Sequence, residues 1–229
     1  MIPDWSARAE PVPYAELPDP QSLNLYSYVR NNPLSRTDPA GHYLCNGDEC
    51  KQVKQALKTI SKAANSKRLD PAQRAALKAV VGFYGKAKAD NGVTVNTGNA
   101  AAGANGGTHT ADGRTTISLQ LSNWDDPNAN LNGGSAKAEK GATVAHEGEH
   151  GIQQKAAGMP GSPEQEFQGE QQAYKVQSDV NEGLNKKSAY GIWTKDGGFS
   201  QAKDDQYATR STDMWCGCNW APPAPQPQQ

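Results

Sequence analysis

The sequence predicts a small α+β domain, a few amphipathic helices and a short sheet around one helix that carries polar chemistry. Three observations predict it. Residues 51 to about 67 space Val53, Leu57, Ile60 and Ala64 along one helical face. Residues 114–121 alternate, with Ile117, Leu119 and Leu121 on one side, the period of a half-buried strand. His146-Glu147-Gly148-Glu149-His150 lies in a helical pattern between Thr143-Val144-Ala145 and Gly151-Ile152-Gln153-Gln154.

Taken in chain order, residues 1–42 are rich in proline, which forbids a long helix there. Leu23, Leu25, Tyr26 and Tyr28 suit short strands against a partner surface, and Asn31-Asn32-Pro33 and Asp38-Pro39-Ala40-Gly41 are turn chemistry. A domain core is expected only over residues 43–220. After the first helix, Asp70-Pro71 supplies an N-cap and a first-turn proline. That opens a second helix through Leu77, Val80, Val81 and Tyr84, expected to end near Asn91-Gly92. Val93 and Val95 alternate as a short strand. Residues 98–107 are too rich in Gly, Asn and Ala to pack and read as a mobile loop. Residues 123–134 read as a loop, and the helix of the His/Glu motif starts near Ser135. A further helix covers residues 164–177, with Ala173, Val176 and Val180 on its inner face. From Tyr190 to Trp220 no period is clear, and residues 221–229, a Pro/Gln tail, are expected to be disordered.

Composition limits the function classes. The chain has 229 residues, is 35% hydrophobic and carries 23 Gly and 15 Pro. Its mean hydropathy is −0.80, so the core is modest. Lys+Arg 23 against Asp+Glu 24 gives a net charge of −1, no electrostatic case for nucleic acid. No apolar run approaches the about 18 residues of a membrane span. The start shows no basic and apolar leader, so no ordinary signal peptide is expected. Cysteines stand as Cys45/Cys50 and Cys216/Cys218. Disulfides are the preferred reading, and a link between the two pairs would clip the ends of the domain together. A second, structural zinc site or free thiols are the alternatives, and the spacings do not match paired C-x-x-C ligands.

The motif H-E-x-x-H carries the chemistry. Residues four apart lie one turn apart on a helix, so His146 and His150 can reach one ion. Hydrolytic zinc takes three protein ligands and keeps one position open, and the Glu of this motif serves as general base. Glu147 is the candidate catalytic residue. Gly148 costs about 1 kcal/mol against Ala inside a helix, and Glu149 is an unusual charge at a middle position. The third ligand must come from elsewhere, because His150 is not followed by G-x-x-H. Glu166 and Glu170 are four apart on the next predicted helix, reached through a Gly/Pro turn. Tyr190, Tyr207 and His109 are candidates to stabilise an oxyanion.

Glu170 stands 20 positions after His150. This arrangement resembles the gluzincin, or thermolysin-like, metallopeptidases, where a Glu on a following helix is the third zinc ligand. Glu170-Gln171-Gln172-Ala173-Tyr174 is similar to the E-x-x-A-Y form of that helix. The resemblance implies a zincin-like domain with zinc (Zn2+) held by His146, His150 and Glu170, Glu166 standing in reserve. It also implies an edge strand before the active helix that pairs with extended substrate, a role residues 114–121 would fill.

A second resemblance covers residues 4–42. The string N-L-Y-x-Y-V-x-N-N-P-L-x-x-x-D-P-x-G, from Asn24 to Gly41, resembles the C-terminal end of an RHS-repeat-associated core domain. In that family D-P-x-G marks where a variable C-terminal toxin begins. Together the resemblances imply a zinc-dependent metallopeptidase as the C-terminal effector of an RHS-type polymorphic toxin, secreted or delivered to a target cell. Its partners would be a protein or peptide substrate, an RHS shell and an immunity protein. The competing expectation is a non-catalytic module that holds metal or docks a partner.

Overall fold

A computed structural model describes residues 42–87, 90–101 and 104–222. The segment resembling the RHS core lies outside the described residues, apart from His42, and so does the tail from residue 223. The described residues form an α+β fold. In chain order the elements are β1 (His42–Asn46), α1 (Cys50–Ala64), α2 (Pro71–Tyr84), β2 (Lys86–Ala87), β3 (Val93–Thr97), β4 (Gly106–Ala111) and β5 (Arg114–Leu119). A 3-10 turn (Leu121–Asp125) leads to α3 (Ala136–Ala157), α4 (Pro163–Leu184), the small hairpin β6 (Trp193–Thr194) and β7 (Gly198–Phe199), and α5 (Gln201–Cys216). Among the described residues no helix is long and apolar enough to cross a membrane.

The sheet runs β2-β1-β3-β5-β4, parallel except for β4, which is antiparallel to β5. Alternation builds its inner face: Val93 and Val95 from β3 and Ile117 and Leu119 from β5 are fully buried. Residues 114–119 are thus the half-buried strand that their alternation predicts, lying between β3 and β4, and not the edge strand that the gluzincin resemblance implies. Asp112 (φ 50°) and Gly113 (φ 74°) form a two-residue turn with both φ positive, pairing Ala111 with Arg114. That turn lays β4 along β5, so β4 is the edge and the end of the expected loop is a strand.

Val53, Leu57, Ile60 and Ala64 of α1 are buried, as their spacing predicts. α2 opens with a reciprocal cap between Asp70 and Gln73. It ends at Tyr84 rather than near Asn91. Gly85 turns out of the helix at φ 66°, and Asn91 Nδ2 donates to the freed carbonyls of Phe83 and Tyr84 at 3.3 and 3.2 Å. Glu49 accepts from the backbone N–H groups of Leu121 and Ser122, both at 2.8 Å, tying the start of α1 to the turn after β5. The disulfides are Cys45–Cys50 and Cys216–Cys218. Each closes within its own pair, so no bridge clips the two ends of the domain together; close sequence neighbours have the shorter loop to close.

α3 is the central helix, touching α1, α2, α4 and β4. Small residues make this possible. A Cβ on Gly141 would lie 3.0 Å from Thr59, and one on Gly148 2.7 Å from Tyr84 and 2.8 Å from Val80. Tyr84 and Val80 are fully buried, and the Tyr84 hydroxyl donates to the Val144 carbonyl at 2.9 Å, so neither neighbour can yield. Gly148 is thus a packing requirement of the α2–α3 contact. Gly148→Val is expected to destabilise the fold by about 2–3 kcal/mol through overpacking, read as a lowered midpoint in urea with unchanged slope.

Glu139, fully buried in the first turn of α3, accepts from Ala189 N at 3.0 Å while its other oxygen has no partner. Burial pushes its pKa from 4.5 up to about 7. The folded state therefore keeps a proton that the unfolded chain releases from about pH 4.5. This contribution is full below that pH and is lost as pH rises through about 7, to an extent of about 3 kcal/mol. Glu139→Gln keeps the acceptor and removes the titration. The difference in unfolding free energy between variant and wild type should grow in the variant's favour between pH 4.5 and 7, then level off.

Candidate metal centre

The middle of α3 puts His146 and His150 one turn apart on the side that meets α4. Both α3 and α4 are 22 residues long and pack along their length. The reversal between them passes through Gly158, whose φ of 84° favours glycine. α4 restarts at Pro163 with the Ser162 side chain accepting from Gln165 N. This return carries Glu170 to the two imidazoles.

The three donors converge. His146 Nε2 and His150 Nε2 are 3.1 Å apart. His146 Nε2 lies 3.3 Å from Glu170 Oε2, and His150 Nε2 3.4 Å from Glu170 Oε1. A tetrahedral ion with bonds of about 2.0–2.1 Å spaces its ligand atoms by about 3.3 Å. The observed separations are of that size. Buried Glu170 Oε2 meets His146 only at this ion-pair distance and accepts no other hydrogen bond in the protein. His150 Nδ1 lies 3.3 Å from Gln153 Oε1, whose Nε2 donates to the Gly169 carbonyl at 3.2 Å. With that acceptor Nδ1 carries a proton, which leaves Nε2 to face the cluster. Three lone pairs facing one another in a buried site repel unless a cation or proton lies among them. The donor set fits a divalent metal.

The electrostatics show the same demand of the cluster for positive charge. Burial works against a charged His150, but Glu170, Glu147 and Glu166 outweigh it and hold its pKa up to about 9. For Glu170 burial pushes upward, and His150 and His146 more than reverse it, leaving the carboxyl well below the usual range. Glu166 lines the same cavity but is not among the converging donors. Burial, then repulsion from Glu170, raises it to about 7.

Glu147 faces β4. Thr108 Oγ1 donates to Glu147 Oε2 at 2.7 Å, and a Cβ on Gly106 would lie 2.5 Å from Glu147 Oε1. The hydroxyl holds the carboxylate, and the glycine makes room for it. Gln154 Nε2 donates to the Thr108 carbonyl at 3.1 Å, fixing the edge strand to α3. Tyr174 packs its ring on His146 at 4.5 Å between centroids. Glu149, the unexpected charge, is buried and accepts from Gln172 of α4 at 2.7 Å.

A cavity of about 580 Å³ opens over these groups, with Tyr190 and Tyr207 in its wall. The Tyr190 hydroxyl accepts from Asn105 Nδ2 at 3.2 Å, so its own proton remains free to donate. Burial pushes Tyr190 up to about 12. His109 does not line the cavity. It occupies an exposed position of β4, whose alternation turns Thr108 toward α3 and His109 the other way. His109 is therefore not placed to stabilise an oxyanion in this cavity, contrary to expectation.

The structure thus brings together His146, Glu147, His150 and Glu170. Sequence reading missed Thr108, Gly106 and Gln153. The Asp112-Gly113 pair, a strong hairpin signal before an alternating strand, announces β4 and with it Thr108. No family model, curated protein or solved structure matches this chain.

Proposed function

We propose that the chain is a zinc-dependent metallopeptidase with a zincin-like arrangement, acting as the C-terminal effector of an RHS-type toxin. The observation that carries the catalytic part is the convergence of His146 Nε2, His150 Nε2 and the Glu170 carboxylate, 3.1 to 3.4 Å apart, beside an open cavity. These three side chains would hold the ion, and Glu147 stands next to it without being a donor. A bound zinc ion supplies a Lewis acid for a carbonyl and brings water towards a pKa of about 7.

The chain's own groups do the rest. Glu147, its carboxylate oriented by Thr108, takes the proton of the water that attacks the peptide carbonyl and returns it to the departing amine. The amine then leaves neutral, and a carboxylic acid and an amine are the products. Tyr190, protonated and with its donor free, suits the oxygen that gains charge in the tetrahedral state, and Tyr207 is the neighbouring alternative. Gly106 and Gly107 let a substrate backbone approach the edge strand closely.

The effector role rests on the likeness of residues 4–42 to the end of an RHS core. It carries with it secretion or delivery to a target cell, an enclosing shell and an immunity protein as partners. The test is elemental analysis of the purified chain together with peptide cleavage that a chelator abolishes and added zinc restores. Stoichiometric zinc without cleavage of any peptide would select the non-catalytic, metal-holding module instead.

A further inference from the structure

Helix α5 shows no apolar period, yet one of its faces is coherent. Tyr207, Arg210, Ser211, Met214 and Trp215 follow helical spacing and all line the cavity opposite the His/Glu cluster. The adjoining positions Asp204, Ala208 and Thr212 are buried and pack toward α4. Met214 and Trp215 are 66% and 43% exposed. Large apolar side chains left in water beside a site point to an occupant that covers them.

Their exposure is not that of a loose end. The Cys216–Cys218 bridge closes the chain just after Trp215. Trp220 N donates to Asp213 Oδ1 at 2.7 Å, and the Trp220 ring lies 4.7 Å from Phe167 of α4. Tyr174 and Ser211 hydroxyls meet at 3.1 Å, Gln171 donates to Asp205 at 2.7 Å, and α4 and α5 are thereby fixed to each other. The wall is built before anything binds to it.

Charge is divided across the cavity. Glu147, Glu166 and Glu170 lie on the cluster side. Arg210 is the one lysine or arginine that lines the cavity, and it makes no ion pair among the described residues. A guanidinium presents a planar fork that matches a carboxylate. We infer that the α5 face is a specificity wall: it receives a peptide bearing a carboxylate for Arg210 beside a bulky apolar side chain that covers Met214 and Trp215. This rests on the peptidase reading of the adjoining site. The carboxylate is that of an Asp or Glu side chain or of the peptide's C-terminus.

The test uses the full, zinc-loaded chain and matched peptides that pair Phe or Leu with Glu, Gln or Lys, each with a free or amidated C-terminus. Glu-containing or free-acid peptides should be cleaved about fivefold to tenfold better than their neutral or amidated counterparts. Arg210→Glu should reverse that order in favour of Lys, and Trp215→Ala should raise KM for the aromatic peptides more than it lowers kcat. Preference kept in amidated peptides assigns the charge to the side chain; preference lost on amidation assigns it to the C-terminus. Cleavage indifferent to charge, or an order unchanged by Arg210→Glu, overturns the inference and leaves the peptidase standing. Fluorescence anisotropy with the Glu147→Gln variant separates the other case. If nothing is cleaved but acidic peptides bind and Arg210→Glu removes that binding, the wall stands and the peptidase reading falls. If neither cleavage nor Arg210-dependent binding is seen, both fall.

Discussion

Glu147→Gln is expected to lower the turnover of peptide cleavage by about 10²–10⁴-fold while leaving one zinc per chain. The substitution is nearly isosteric. Its amide oxygen still accepts the Thr108 hydroxyl that now lies 2.7 Å from the carboxylate, and Gly106 still leaves room for it. The side chain therefore stays where it is, but it can no longer take a proton. The proposed role as base is separable from the proposed metal binding because His146, His150 and Glu170 form the converging set without Glu147. Two measurements on one sample decide the matter: zinc by elemental analysis and initial rate on a peptide mixture. Full activity with full zinc would remove Glu147 from the mechanism. Loss of zinc along with activity would mean that Glu147 supports the site rather than the proton transfer. A wild type that holds zinc and cleaves nothing would return the chain to the non-catalytic alternative, whatever the variant does.

Legibility in the sequence followed the physical origin of each element. α1, β3 and β5 repeat apolar residues at the period of their own geometry, and the Asp70-Pro71 start of α2 is local capping chemistry. Those signals need only neighbours in the chain. α5 has none of them, because its buried face is Asp204, Ala208 and Thr212, while Met214 and Trp215 stand in solvent at the cavity. A helix whose buried positions are mostly polar and whose exposed positions are partly apolar shows no apolar period. The end of α2 depended on Asn91 reaching back over seven residues and on Gly85 turning early, and no period reports either.

The site divides in the same way. His146, Glu147 and His150 are fixed by helical spacing alone. Glu170 was legible only through likeness to a known helix pattern, because its approach to the imidazoles depends on how α4 folds back. Thr108 and Gly106 lie about 40 positions before Glu147 on an edge strand, and nothing local connects them to it. Gly148 was visible as a cost without a cause; the cause is the buried Tyr84 and Val80 against which α3 packs.

Glu170→Ala is expected to lose stoichiometric zinc, while Glu166→Ala keeps it. Both glutamates lie on α4 and line the same cavity, so proximity does not separate them; orientation does. Glu170 places one oxygen 3.3 Å from His146 Nε2 and the other 3.4 Å from His150 Nε2. Glu166 is outside that set, its carboxyl raised to about 7 by burial and by repulsion from Glu170. Removing a direct donor should weaken binding beyond the about 10–100-fold that follows loss of an outer-shell partner. His146→Ala should do the same, since two donors on one helix cannot close the site. Because a metal site of this kind forms only on folding, the loss should also appear as stability. Zinc at about a thousandfold above its Kd adds about 4 kcal/mol to wild type, so a chelator should lower the melting temperature of wild type and of Glu166→Ala. Glu170→Ala and His146→Ala should melt at the same temperature with and without chelator. A chelator-sensitive Glu170→Ala that retains one zinc, beside a Glu166→Ala that has lost it, would move the third donor one turn back along α4 and with it the open side of the site.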